Sequence, residues 1–347
     1  MKILVIRFSA MGDVVLCHPV LSEVIQLNPE VKIDFLTRKG LEFIVEGIPN
    51  VNSIAVKFKK GLSGFFQLLQ LVNELQNEHY DLVIDLHGSL RSRFISILLF
   101  VGRKNIFRID KGRDEKNARI GHLNIDSKPL RHHILRYRDV FVNAGLKLFD
   151  QLEETISIRW PKNENVNLEI EKTILENGWN NKKRIGIAPF AKHHWKEWNK
   201  PESLIEKILE EDGQTLIFLF GAGTEEKSKM RHWQKKSVER VIIVGDYFSI
   251  QQEIYFFSKL DALVTMDSAN LHLANLSNIP KIISIWGPTD PGMGFGPVDQ
   301  KRNIFVQKSA QQLTCRPCSV YGNKKCHRGD HACMVQIEAE EILEHLS

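Results

Sequence analysis

Ile3-Leu4-Val5-Ile6-Arg7-Phe8-Ser9-Ala10-Met11-Gly12-Asp13-Val14-Val15-Leu16-Cys17-His18 is the stretch that decides the fold. Its first four residues are the short apolar run that a buried parallel strand needs. Small residues, a glycine and a carboxylate then break the run. Residues 14–21 resume as an apolar stripe at helical spacing. Strand, glycine turn and helix make the first half of a βαβ unit. Ligands of open parallel sheets sit outside the carboxyl ends of the strands. The turn at residues 7–13 lies there, so Asp13 is placed to face a ligand.

The same alternation continues outward from this turn. Residues 31–36, 54–56 and 81–86 read as strands, 65–75 and 132–142 as helices, and 156–158 as a short strand. The polar run 161–165 reads as a linker. Strand signals return at 184–189, 215–220, 241–245, 262–267 and 281–287, with Pro201 suited to a first helical position. Two doubly wound α/β domains follow, residues 1–160 and 161–347, expected to face each other across a cleft.

The chain has 347 residues, 43% hydrophobic and 26% charged, as in a soluble globular protein. Its longest uncharged apolar stretch, 94–102, is about half the length needed to span a bilayer. Arg7 and Asp13 interrupt what would be the apolar region of a signal peptide, so the cytoplasm is the expected compartment. The net charge of +5 is unevenly spread: residues 103–138 hold eleven Lys/Arg against four acids. That segment reads either as a solvated face or as a site for phosphates, carboxylates or an anionic membrane. No basic motif interleaved with aromatics is present, so no nucleic-acid partner is expected.

Several turns offer chemistry. Gly221-Ala222-Gly223-Thr224-Glu225-Glu226 follows a strand and precedes a helix, but Glu226 stands where a dinucleotide fingerprint has its third glycine. The turn reads either as a plain strand-to-helix connection or as a phosphate or ribose contact, with Glu225 or Glu226 accepting from ribose hydroxyls. Asp267-Ser268-Ala269-Asn270-Leu271-His272 ends one strand and opens a helix. Asp267 or Ser268 suits an N-cap; the alternative is a nucleotide contact. Gly287 and Thr289 sit in the turn after the next strand, where N–H donors and hydroxyls suit a diphosphate. Lys192 and Lys196 flank Trp195 after the first strand of the second half.

Taken in order, residues 1–20, 80–92, 188–201, 261–274, 286–291 and the cysteine-bearing tail resemble glycosyltransferase family 9, the ADP-heptose:lipopolysaccharide heptosyltransferases. The resemblance spans nearly the whole chain and implies the GT-B fold of two Rossmann-like domains. It leaves the final helix free to pack back on the first domain. It implies that Asp13 is the catalytic base, that Lys192 meets the donor phosphate, and that Asp267, Ser268 and His272 hold the nucleotide. Glu225, Gly287 and Thr289 join that donor set. Ser9, Gly12, His87 and Arg91 fall on the acceptor side. His87 stands where the family commonly has glutamine, and Ala269 where it has glycine. The implied reaction is an inverting, metal-independent heptosyl transfer from ADP-heptose. Its acceptor is the acidic inner core of lipopolysaccharide at the cytoplasmic face of the inner membrane, where the enzyme would be cytoplasmic or peripheral. Its transition state resembles an oxocarbenium ion. The rival readings are another nucleotide-sugar donor, an NAD-type oxidoreductase on the same architecture, and a catalytically silent binding protein.

Cys315, Cys318, Cys326 and Cys333 fall within nineteen residues. Disulfides are unexpected in a cytoplasmic protein. A CxxC pair followed by two more thiols suits a structural zinc, with His327 and His331 as spare ligands. Zinc, unliganded thiols and a disulfide stay open. Cys17 reads as a core residue.

Overall fold

The computed structural model describes residues 1–99, 105–121, 128–297, 299 and 301–346. They form two compact units, Met1–Gly112 with Arg131–Pro161, and Arg113–Leu130 with Lys162–Ser347.

The first unit holds a five-stranded sheet of β1 (Lys2–Ile6), β2 (Lys32–Arg38), β3 (Val51–Val56), β4 (Leu82–Asp85) and β5 (Ile106–Arg108) in the order β3-β2-β1-β4-β5. Each pairing is parallel. β1 is central, which is why residues 3–6 are wholly buried. Helix Gly61–Gln76 and helix Leu90–Leu99 cover one face through Leu71, Val72, Leu75 and Ile95. The helix after β1 forms in two pieces, Met11–Val15 and Cys17–Leu27. Residues 131–161 are bound back to it by Glu23, a fully buried carboxylate. Glu23 accepts from Arg138 at 3.0 Å, Thr155 at 2.9 Å and the Phe149 amide at 2.6 Å. A buried charge survives only with such partners.

The second unit holds β6 (Arg184–Ala188), β7 (Leu216–Leu219), β8 (Val241–Ile243), β9 (Ala262–Met266), β10 (Ile282–Ile285) and β11 (Asn303–Val306), ordered β11-β10-β9-β6-β7-β8 and again parallel. The loops after β10, β9, β6 and β7 therefore lie side by side at one edge. The final helix Ala339–Leu343 packs in this unit, with Glu340 paired to Lys207 at 2.7 Å and Glu341 to Lys308 at 2.8 Å. Both sheets are the doubly wound parallel kind, so the fold class is the expected one.

Three local readings differ. Residues 156–158 are not a strand: helix Leu152–Ser157 occupies the site, with Glu153 and Glu154 favourable in its first turn. β5 and β11 carried no legible signal, because their apolar runs are cut to two and three residues by Asn105, Arg108 and Asn303. The basic segment 103–138 is not one charged face. Arg103, Lys104 and 122–127 lie outside the described residues. Arg108 pairs with Asp85 and Arg138 with Glu23 in the first unit, while Lys116 is buried in the second, over the Phe295 ring at 4.3 Å. Among the described residues no helix is long and apolar enough to cross a membrane.

Candidate active site

The turn after β1 delivers Asp13 to the first helical turn. Its Oδ2 accepts from the Ala10 amide at 3.0 Å and pairs with Arg7 at 2.7 Å. Arg7 is almost wholly buried and spans two loops, because its second nitrogen donates to the Leu86 carbonyl at 2.5 Å. The turns after β1 and β4 are thus fastened together. The other carboxylate oxygen, Oδ1, has the looser contact, His133 Nε2 at 3.7 Å. Burial opposes the charge on Asp13, but Arg7 and then His133 outweigh it and hold the carboxyl down to about 2. The Asp13 backbone carbonyl accepts from Tyr137 Oη at 3.1 Å and from Cys17 Sγ at 3.4 Å. Burial pushes the Cys17 thiol up to about 12, so it stays protonated, as a core residue would.

The expected acceptor residues gather around this carboxylate's turn. Ser9 and Gly12 are half-buried beside Asp13. His87 packs edge-on to Phe8 at 5.1 Å. Burial, then Arg7 and Lys111, lower its imidazole to about 4, so it is neutral near pH 7. The loop that carries it is organised by Asp85, which accepts from the His87 and Gly88 amides at 3.0 and 2.7 Å and from Ser92 Oγ at 3.0 Å. Gly88 needs its positive φ of 55° to make this turn. Arg91 is exposed, its guanidinium 4.3 Å from the Phe58 ring centre.

In the second unit, Asp267 directly follows β9. Its Oδ2 accepts from Thr289 Oγ1 at 2.8 Å and from Lys196 Nζ at 3.1 Å, and Lys196 also donates to its carbonyl. Ser268 is the N-cap residue of helix Ala269–Leu276, with His272 buried one turn in. Ser268 makes no side-chain cap bond; its hydroxyl lies 3.5 Å from Thr265 Oγ1. Lys192 lies on the loop after β6, exposed. Glu225 points to solvent and pairs with Lys229 at 3.2 Å. Its neighbour Glu226 instead folds back onto the Ala222 amide at 2.7 Å. That carboxylate fills the position where a dinucleotide pyrophosphate would sit on a glycine turn.

Two residues that the sequence reading did not commit to hold this edge together. Lys196 is the first. It lies four residues beyond Lys192, one turn further along the same loop, and the Cβ of any residue at Gly322 would meet its stem at 2.2 Å. Arg316 is the second. It is buried to 1% exposure and donates to the Gly287 carbonyl at 2.6 Å and the Thr289 carbonyl at 2.9 Å. The Cys318 and Ser319 amides both donate to the Pro288 carbonyl at 3.1 Å. Gly287 is required on its other side as well, since a Cβ there would strike the Met334 side chain at 2.8 Å. The cysteine-bearing tail therefore clamps the turn at residues 287–289 and braces Lys196.

Cys315, Cys318, Cys326 and Cys333 line one pocket with His327, His331 and Arg316. All are free thiols, and among the described residues no three His, Cys, Asp or Glu side chains are arranged to hold an ion. Burial pushes the Cys333 thiol up to about 12. No step below is routed through zinc.

Comparison with known proteins follows the same lines. The family model described as glycosyltransferase family 9 (heptosyltransferase) matches residues 68–325. A lipopolysaccharide heptosyltransferase 1 from Campylobacter coli is 25% identical, over 99% of this chain and 97% of its own. Among solved structures, a glycosyltransferase family 9 protein from Veillonella parvula superposes with a TM-score of 0.75 at 17% identity, covering 99% of this chain and 95% of that one. The E. coli heptosyltransferase WaaC with ADP gives 0.66 at 17% identity, covering all of both chains.

Proposed function

This chain belongs to glycosyltransferase family 9, and from that premise we propose that it moves a heptose from ADP-heptose onto the acidic inner core of lipopolysaccharide, inverting the anomeric carbon. The relatives' names support the sugar and the pathway, and the solved relative with ADP supports the nucleotide. The observation that carries the reading is Asp13: a carboxylate locked in its ionised form, at the carboxyl edge of the sheet, with Oδ1 left to take a proton.

In this reading the acceptor hydroxyl gives its proton to Asp13 as its oxygen bonds to the anomeric carbon and the bond to the diphosphate breaks. A carboxylate held near 2 is a weak base, so the proton moves late, when bond formation has made the hydroxyl acidic. Ser9, Gly12, neutral His87 and Arg91 are the proposed acceptor contacts. On the donor side, Asp267 and His272 hold the nucleoside and the turn at Gly287 offers its N–H donors. Lys192, Lys196, Ser268, Thr289 and the helix N-termini stabilise the charge gathering on the leaving diphosphate. Glu225, exposed at the start of helix Thr224–Gln234 with Lys229 as its ion-pair partner, is the proposed ribose contact. The proposed chemistry uses no metal, and enzyme action at the cytoplasmic face of the inner membrane belongs to the same reading.

The test is product mass after incubation with ADP-heptose and a Kdo-bearing lipid A. Asp13→Ala abolishes transfer and leaves ADP affinity intact. Transfer at near the full rate in that variant overturns the base, and tighter binding of NAD, UDP or GDP than of ADP overturns the donor. Elemental analysis of the purified protein decides the structural zinc.

A further inference from the structure

Helix Gly61–Gln76 has two apolar faces. Leu71, Val72 and Leu75 enter the core of the first unit, with Leu68 packed against them. Leu62, Phe65, Phe66 and Leu69 recur at i, i+3, i+4 and i+7, the spacing of a second buried face. Yet they are 79%, 47%, 66% and 38% exposed. The Phe65 ring lies 5.9 Å from Phe94 of helix Leu90–Leu99, so the apolar surface continues onto that helix, where Leu90 and Ile97 are exposed too. Large neighbouring exposed apolar side chains on a soluble protein mark an interaction face.

The charges beside this face have one sign. Lys57, Lys59, Lys60, Arg91 and Arg93 are all exposed, and neither 57–73 nor 86–99 contains an acid. The lysines are held there. Gln67 donates to the Lys57 carbonyl at 2.8 Å and accepts from the Lys59 amide at 2.9 Å. Gly64 admits this close approach, since a Cβ there would meet the Lys59 carbonyl at 2.4 Å. A basic rim, its lysines carried on a pinned backbone, thus borders leucine and phenylalanine side chains. A second copy of the same face would set like charges together. Hydrocarbon under a layer of negative headgroups satisfies both the apolar and the cationic parts.

We propose that the outward face of helix Gly61–Gln76 and helix Leu90–Leu99 docks the first unit onto an anionic phospholipid surface. The inference rests on the proposed action at a membrane face and names the surface that would touch it; its failure is distinguishable from failure of the transferase reading, because lipid binding is read without activity.

The test is co-sedimentation of the full chain with phosphatidylglycerol-containing vesicles and with pure phosphatidylcholine vesicles. The wild type binds the anionic vesicles, more weakly in high salt, and leaves phosphatidylcholine alone. Leu62→Ser with Phe66→Ser, and separately Lys59→Glu with Lys60→Glu, each lower binding about tenfold or more. All four residues are exposed, so thermal melts and ADP affinity stay at wild-type values. Absence of wild-type binding to anionic vesicles overturns the proposal, and so do variants that bind as well as wild type. A wild-type dimer that Leu62→Ser with Phe66→Ser turns into a monomer, without vesicle binding, assigns the face to a second copy and also overturns it.

Discussion

Arg7→Met tests the carboxylate at the centre of the proposed mechanism. Arg7 lies 2.7 Å from Asp13 and is the largest influence favouring its charge, holding the carboxyl at about 2 against an ordinary 3.8. That difference is roughly 2.5 kcal/mol at 1.36 kcal/mol per unit. A depressed carboxyl contributes stability that is fully present above its unfolded value and is lost as pH falls through the folded one. Removing Arg7 deletes that contribution, and burial, opposed now by His133 and the Ala10 amide, pushes the Asp13 carboxyl up. It also frees the Leu86 carbonyl, so the turns after β1 and β4 come apart. Wild-type kcat/KM stays flat with falling pH until the protein itself fails. Arg7→Met brings the acid limb up by about two units or more. Near neutral pH its Asp13 is still ionised, so the remaining loss is positional, about a hundredfold in kcat. Arg7→Lys restores the charge but cannot reach both Asp13 and Leu86, and recovers part of the rate. The assay is initial-rate transfer from pH 4.5 to 9, with ADP affinity as the control for folding. A methionine variant with a flat profile and kcat within twofold of wild type refutes the reasoning.

The remaining expectations concern the second unit and acid stability. Lys196→Ala strips Asp267 of its cation, so calorimetry shows ADP affinity down about tenfold with a lowered Tm; exposed Lys192→Ala lowers transfer with Tm unchanged. Equal behaviour of the two variants contradicts the assignment of the ion pair to Lys196. Arg316→Met leaves the Gly287 and Thr289 carbonyls without donors and costs about 3 kcal/mol or more in denaturant unfolding, with loss of ADP affinity; Arg316→Lys recovers part of both. Burial holds His18 and His87 each to about 4, so their neutral forms contribute stability fully above 6.5 and lose it as pH falls towards 4. Tm therefore drops across that window, and His18→Phe shallows the drop; an unchanged slope removes His18 as a cause.

Much of this was legible along the chain because burial imposes local periods. A central parallel strand is covered on both faces, so 3–6, 82–85 and 262–266 had to be apolar runs, and each ends in a turn whose glycine or carboxylate is visible. Edge strands β5 and β11 escape the rule, because Asn105 and Arg108 close off a two-residue apolar run and Asn303 and Gln307 a three-residue one, whereas the equally short edge strand β8 is apolar throughout. The apolar stripe at 65–75 was correctly helical. Periodicity reports that side chains repeat on a face, though, and not whether anything covers it, so the exposure of Phe65 and Phe66 was invisible.

The sequence by itself determined the doubly wound class, the placing of Asp13 at a strand's carboxyl edge, and the set of turns after β6, β9 and β10. Tertiary structure alone decided the partners. Arg7 was in plain view, but its grip on both Asp13 and Leu86 depends on β1 and β4 being neighbours. Lys196 takes Asp267 because β6 lies beside β9, and spacing could not rank it above Lys192. Residues 113–121 and 128–130 join the second unit although chain order puts them in the first half. The physical reason is the same in each case. A strand or helix is set by neighbours within a few residues, whereas an ion pair or a clamp is set by which distant elements share an edge.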